Sequence, residues 1–205
     1  MHISEGVLSA PVLASGAALA AGGVAVGLRK LDYDRIPQVA LTASAFFVAS
    51  LIHVKVGPSS AHLVLNGLAG LILGWAVFPA LLVALFLQAV LFQFGGLTTL
   101  GVNTVTMALP GVAAHYAFRR AVTAGRPRTA ALAGFAAGAL PIAVAAGLVA
   151  AALIISARPM AEAAGLFSLV HVPVMLIEGS ITAAVVGFLR KVRPELLAAP
   201  VLGVE

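Results

Sequence analysis

The stretch Thr129-Ala-Ala-Leu-Ala-Gly-Phe-Ala-Ala-Gly-Ala-Leu-Pro-Ile-Ala-Val-Ala-Ala-Gly-Leu-Val-Ala-Ala-Ala-Leu-Ile-Ile155 carries no charge, and arginines bracket it at Arg126, Arg128 and Arg158. A helix needs about 20 apolar residues to cross a hydrocarbon core of ~30 Å. This run is long enough, and its Ala and Gly residues suit close helix packing in lipid. Six more apolar runs surround it, at Val7–Leu28, Pro37–Ile52, His62–Trp75, Pro79–Phe94, Val102–Phe118 and Leu166–Leu189. The pattern predicts an all-α polytopic membrane protein of about seven transmembrane helices. Residues 1–205 form one integral membrane domain, and no repeat of 20 to 50 residues divides it.

Composition excludes the soluble classes. The chain of 205 residues is 61% hydrophobic and 9% charged, with mean hydropathy +1.11, whereas globular domains carry roughly 25% charged residues. It has no cysteine, so disulfides and thiolate metal sites are ruled out. The net charge of +5 does not call for nucleic acid, because in a membrane protein basic residues mark the cytoplasmic face. With the amino terminus outside, 10 of the 12 Lys and Arg fall on inner segments, leaving only Lys55 and Arg158 outside. The expected topology is therefore an external amino terminus and a cytoplasmic carboxyl terminus. No basic region precedes the first apolar run, so no cleavable signal is expected.

That topology places Met1-His2 on the same face as Gly57-Pro-Ser-Ser-Ala-His62. A terminal amine followed by histidine is a chelator. The Met1 amine, the His2 amide nitrogen and the His2 ring Nδ1 close a five- and a six-membered ring. Three nitrogens in one plane suit Ni²⁺, Cu²⁺ or Co²⁺. The fourth donor falls to His62 or His53. His62 is favoured, because it follows the small-residue loop and is read as opening a helix, which would hold the ring on a rigid element.

Polar groups inside apolar runs are costly and mark function or interhelical bonding. Asn66, Gln88, Gln93 and Asn103 read as interhelical hydrogen-bonding groups, Asn103 and Gln93 lying at the depth of an outer site. His115 reads as structural. Glu178, near mid-membrane on the last helix with His171, is either a structural carboxyl or a step on an ion route.

Four separated segments resemble the CbiM/NikM family, the substrate-binding (S) components of energy-coupling-factor transporters for cobalt and nickel. Met1-His-Ile-Ser-Glu-Gly6 resembles its amino terminus, and Gly57-Pro-Ser-Ser-Ala-His62-Leu resembles the segment whose histidine completes the metal site. Gly95-Gly-Leu-Thr-Thr-Leu-Gly-Val-Asn103 is similar to its glycine-rich segment, and His171-Val-Pro-Val-Met-Leu-Ile-Glu178-Gly-Ser-Ile-Thr182 to its last helix. By that resemblance Met1 and His2 supply three metal nitrogens and His62 the fourth. His53 is a departure from the family pattern.

The resemblance also implies partners. The chain has no Gly-x-x-x-x-Gly-Lys-Ser/Thr phosphate loop, so energy for import must come from other subunits. Those implied are a transmembrane coupling (T) protein, cytoplasmic ABC-type ATPases and a small accessory membrane subunit, assembled at the cell inner membrane. The ion, Co²⁺ or Ni²⁺, is the transported substrate. Binding that deprotonates an amide should release protons and weaken at low pH. An enzyme is not expected, since the His-Glu-x-x-His pair of a metalloprotease is missing. The alternative is a proton-coupled secondary carrier of another solute using Glu178 and His171.

Overall fold

In a computed structural model the chain is described over residues 2–56, 59–156 and 161–198. Helix α1 (Ala10–Arg29) leads through a 3₁₀ turn, Tyr33–Arg35, into α2 (Ile36–Leu51). A short hairpin follows, β1 (His53–Val56) paired antiparallel with β2 (Ser59–His62). Then come α3 (Asn66–Leu73), a second 3₁₀ turn at Gly74–Ala76, α4 (Val77–Phe92) and α5 (Leu100–Ala124). The chain continues through α6 (Pro127–Ser156) and α7 (Ala161–Val192) to the short α8 (Glu195–Ala198).

Among the described residues four helical stretches are long and apolar enough to cross a membrane: Ala10–Arg29, Asn66–Phe92, Pro127–Ser156 and His171–Val192. Seven such helices are expected from the sequence, and the difference has physical causes. Helix α2 is only 16 residues long. Helix α5 has 25 residues, but Asn103, Thr104, Thr106 and His115 on its buried face lower its hydropathy. The expected spans His62–Trp75 and Pro79–Phe94 form one apolar stretch, turned at Gly74 (φ 56, ψ −126). Among the described residues the fold is helical, as expected, apart from the short β1–β2 hairpin.

The corrected region is the most informative part of the fold. His62 does not open a helix; it ends β2, residues 63–65 run without regular structure, and α3 begins only at Asn66. Leu65 sits in the left-handed region (φ 51) just before it. Helix α3 is a buried half-helix running alongside α5, with Asn66 Nδ2 donating to the Met107 carbonyl at 3.0 Å. Both of its ends need partners, because helix termini leave backbone groups unsatisfied and lipid supplies none. At its start, the Val64 and Leu65 N–H groups donate to the Glu178 carboxylate of α7. At its end, His115 Nδ1 of α5 faces the carbonyls of Gly70 and Leu71 at 3.1 and 3.2 Å. Carbonyls only accept, so that nitrogen carries the proton. His115 thus ties α5 to the end of α3.

Small residues let these elements touch. A Cβ on Gly70 would land on the carbonyl of Gly111, and one on Gly138 would meet the Glu178 carbonyl and the Thr182 hydroxyl. We expect Gly70→Val to cost about 3 kcal/mol or more of stability, the upper end for overpacking, because backbone cannot move aside. Gly22→Ala, where nothing lies within 4 Å, should leave thermal melting in detergent unchanged.

The contacts also give the bundle two unlike ends. Ser9 donates to Ser156, bringing the start of α1 to the end of α6, and Ile3 meets Asn103 at the start of α5. At the opposite end Gly27 abuts Trp75 and Pro79, and Arg190 donates to the Gly125 carbonyl. Arg29, Lys30, Arg35, Arg119, Arg120, Arg126, Arg128, Arg190, Lys191 and Arg193 all belong to this second end.

Candidate metal centre

The segment after Met1 is laid into the end of the bundle opposite the basic one. Asn103 grips the backbone of Ile3 from both sides, accepting from its N–H at 3.0 Å and donating Nδ2–H to its carbonyl at 3.1 Å. The Thr99 hydroxyl donates to the same carbonyl at 2.9 Å. The Ile3 side chain is buried in the core. Glu5 Oε1 accepts from Thr98 N at 3.2 Å, and a Cβ on Gly96 would collide with the Glu5 side chain. The glycine-rich loop therefore works by letting the terminal segment lie against it. Gly95 adopts φ 78, where glycine is favoured.

This placement brings His2 against His62. Their rings stack at a centroid distance of 4.7 Å, and His2 Nδ1 faces His62 Nε2 at 3.0 Å. The surrounding hydrogen bonds determine which nitrogens hold protons. His62 Nδ1 lies 2.8 Å from the Leu63 carbonyl, which can only accept, so Nδ1 carries the proton and Nε2 presents a lone pair. His2 Nε2 lies 2.8 Å from Gln88 Oε1. The other end of that amide donates to Ser50 Oγ, whose own hydrogen goes to the Phe47 carbonyl. Gln88 Oε1 is thereby an acceptor and His2 Nε2 its donor, so the neutral His2 ring directs the Nδ1 lone pair at His62.

Two imidazole lone pairs brought to one place repel unless a proton or a cation lies between them. Two nitrogens each about 2.1 Å from a first-row divalent ion, at a right angle, are about 3.0 Å apart. The observed separation matches that bite. His62 lies ahead of the helical spans, and its burial holds the ring well below the ordinary histidine range. Both effects present neutral nitrogen, the form that ligates metal. Among the described residues no cluster of three or more His, Cys, Asp or Glu side chains could hold a metal.

The residues singled out in the sequence are distributed as follows. His2 and His62 meet. Met1 lies outside the described residues. The backbone of His53 pairs directly with that of His62 across the hairpin, while its side chain lies outside what is described. Asn103 supports the terminal segment. Gln93 caps α4 in the left-handed conformation (φ 57) and is exposed. His171 and Glu178 are buried in α7. Sequence reasoning missed Gln88 as the partner of His2; an amide in the middle of the otherwise apolar α4 was its only signal.

Comparison with known proteins follows the same lines. Residues 2–196 match the CbiM family, described as the cobalt uptake substrate-specific transmembrane region. The chain belongs to the CbiM family. A Haemophilus influenzae relative named as a metal transport protein is 46% identical over 202 residues, covering 96% of this chain and 97% of that one. A fused nickel transport protein NikMN of Rhodobacter capsulatus is 35% identical, with 97% of this chain and 64% of the relative covered. A fused cobalt transport protein named CbiMQ from Methanocorpusculum labreanum is 27% identical over 97% of this chain and 36% of its own length. The fold is that of a solved transition metal transporter, with TM-score 0.82 at 26% identity over 94% of this chain and 93% of the other. This CbiM-family protein is thus a multi-pass membrane component of metal transport, in a family of transport components rather than enzymes.

Proposed function

We propose that this protein is the substrate-binding membrane component of an energy-coupling-factor importer for Co²⁺ or Ni²⁺. The ion is captured by the Met1 amine, the His2 amide nitrogen, His2 Nδ1 and His62 Nε2. The observation that carries this reading is the 3.0 Å approach of the two imidazole nitrogens, with the hydrogen on each ring held at the far nitrogen. A coordinated divalent cation stabilises a deprotonated donor, so capture releases protons. The positive-inside rule puts the basic end in the cytoplasm and the capture site outside.

Work must come from partners, since the chain carries no phosphate loop. The fused relative whose name joins CbiM to a second component, Q, supports a transmembrane coupling partner, with cytoplasmic ABC-type ATPases behind it. A small accessory subunit completes the proposed assembly. Either ion fits the donor set; the Irving–Williams order favours Ni²⁺ over Co²⁺ at any nitrogen site, so affinity alone does not name the cargo.

The test is metal content of the purified protein, with Ni²⁺/Co²⁺ competition, in two variants. His62→Ala should weaken binding by more than ~100-fold, beyond the range for an outer-shell residue, whereas His53→Ala should cost about 10–100-fold at most. The reverse ranking would move the fourth ligand to His53. Equal and severe losses would make both histidines ligands of a five-coordinate ion.

A further inference from the structure

We propose that Glu178 orients and polarises His62 through a single peptide group, making a membrane-buried carboxylate of α7 part of what sets metal affinity. The inference rests on His62 being a metal ligand, as proposed above.

The geometry is a relay. The Leu63 carbonyl and the Val64 N–H belong to the same peptide unit. On one side, Val64 N–H donates to Glu178 Oε1. On the other, the Leu63 carbonyl accepts the His62 Nδ1 proton at 2.8 Å. Leu65 N–H adds bonds to both carboxylate oxygens, at 2.9 and 3.0 Å, so the same carboxylate also holds the next peptide. A carboxylate at the N–H end of a peptide pushes electron density toward its carbonyl, and hydrogen-bonded chains polarise one another in a low dielectric. The carbonyl becomes a better acceptor, holds the Nδ1 proton more firmly, and leaves Nε2 a better donor. Metal-bound histidines commonly hand their second ring N–H to a carboxylate or a carbonyl; here a carbonyl stands between ring and carboxylate.

The carboxylate is held without slack. Glu178 is fully buried, and α6 meets α7 at that level, with Gly138 against the Glu178 carbonyl and Thr182. Leu65, in the left-handed conformation (φ 51), lies within the segment that Glu178 ties down. The sites involved are far apart in sequence, by 114 residues between Val64 and Glu178. A displacement of α7 relative to α3 would reach the His62 ring through the Leu63–Val64 peptide. Glu178 is a positioning residue and touches no metal.

The experiment is a double-mutant cycle in detergent-solubilised full-length protein, titrated with Ni²⁺ and followed by its visible d–d absorption. Glu178→Gln keeps the volume but faces one backbone N–H with an amide N–H. It should weaken Ni²⁺ binding about 10–100-fold and shift the band toward that of His62→Ala. In the His62→Ala background it should have no further effect, because the route is gone. A merely structural glutamate would lower the melting temperature while the folded fraction keeps wild-type affinity and band position. That outcome, or losses that add in the double variant, overturns the proposal. Should Glu178→Gln give no folded protein, Glu178→Asp keeps the charge on a shorter arm and is read the same way. His2→Ala in the same assay separates the two readings. If it binds Ni²⁺ normally, the terminal chelate is wrong; if it does not bind while Glu178→Gln matches wild type, only the relay is wrong.

Discussion

A protein carrying one extra residue ahead of Met1 is expected to bind neither Ni²⁺ nor Co²⁺ with high affinity, and to lose uptake, while its metal-free form melts normally. The proposed chelate would use the Met1 amine, whose ordinary pKa of about 8 means the ion would displace one proton to bind it. An acylated nitrogen offers no such lone pair. The added residue would shift histidine to third position, where a different chelate is possible in water but not in this pocket. Ile3 is clamped from both sides by Asn103 and by Thr99, and Glu5 lies against Gly96, so the terminal segment cannot slide outward to make room. Acetylation of the amine should act the same way without adding a residue. A carboxyl-terminal tag, at the basic end, serves as the control. Equal binding and transport by an extended protein with its tag intact would refute the terminal chelate.

His2→Ala is expected to remove high-affinity binding altogether, with loss well beyond the ~100-fold upper limit for an outer-shell residue. It deletes the Nδ1 donor and opens the six-membered ring. It also leaves Gln88 Oε1, now 2.8 Å from His2 Nε2, without that donor in a buried position, a cost of about 1–3 kcal/mol. Some loss of thermal stability is therefore expected alongside the loss of metal. Gln88→Leu separates the two effects. It removes the partner that fixes the His2 tautomer, and should weaken binding less than His2→Ala while leaving stoichiometry intact. Isothermal titration on size-excluded protein reads both.

Much of this could be read from residues in order. The apolar runs announced membrane helices because burial in lipid requires an almost unbroken apolar sequence, a demand that is local. The positions of ten basic residues told the two ends of the bundle apart before any contact was known. Asn103 was legible as lying at the depth of an outer site, but not as the clamp on the Ile3 backbone.

What was not legible depended on pairs of residues distant in sequence. Nothing near His62 announces that the helix waits until Asn66, because the groups that replace helical bonding at Val64 and Leu65 come from Glu178, 114 residues away. Nothing near Gln88 announces His2, 86 residues before it. Hydropathy records how much surface each segment must bury, and so the sequence alone pointed to a helical membrane protein with His2 and the His53–His62 segment on one face. Which buried acceptor meets which donor is settled only when helices pack against one another. The tertiary structure therefore decided that His2 Nδ1 and His62 Nε2 face each other, and that the carboxylate of α7 holds the peptide behind them.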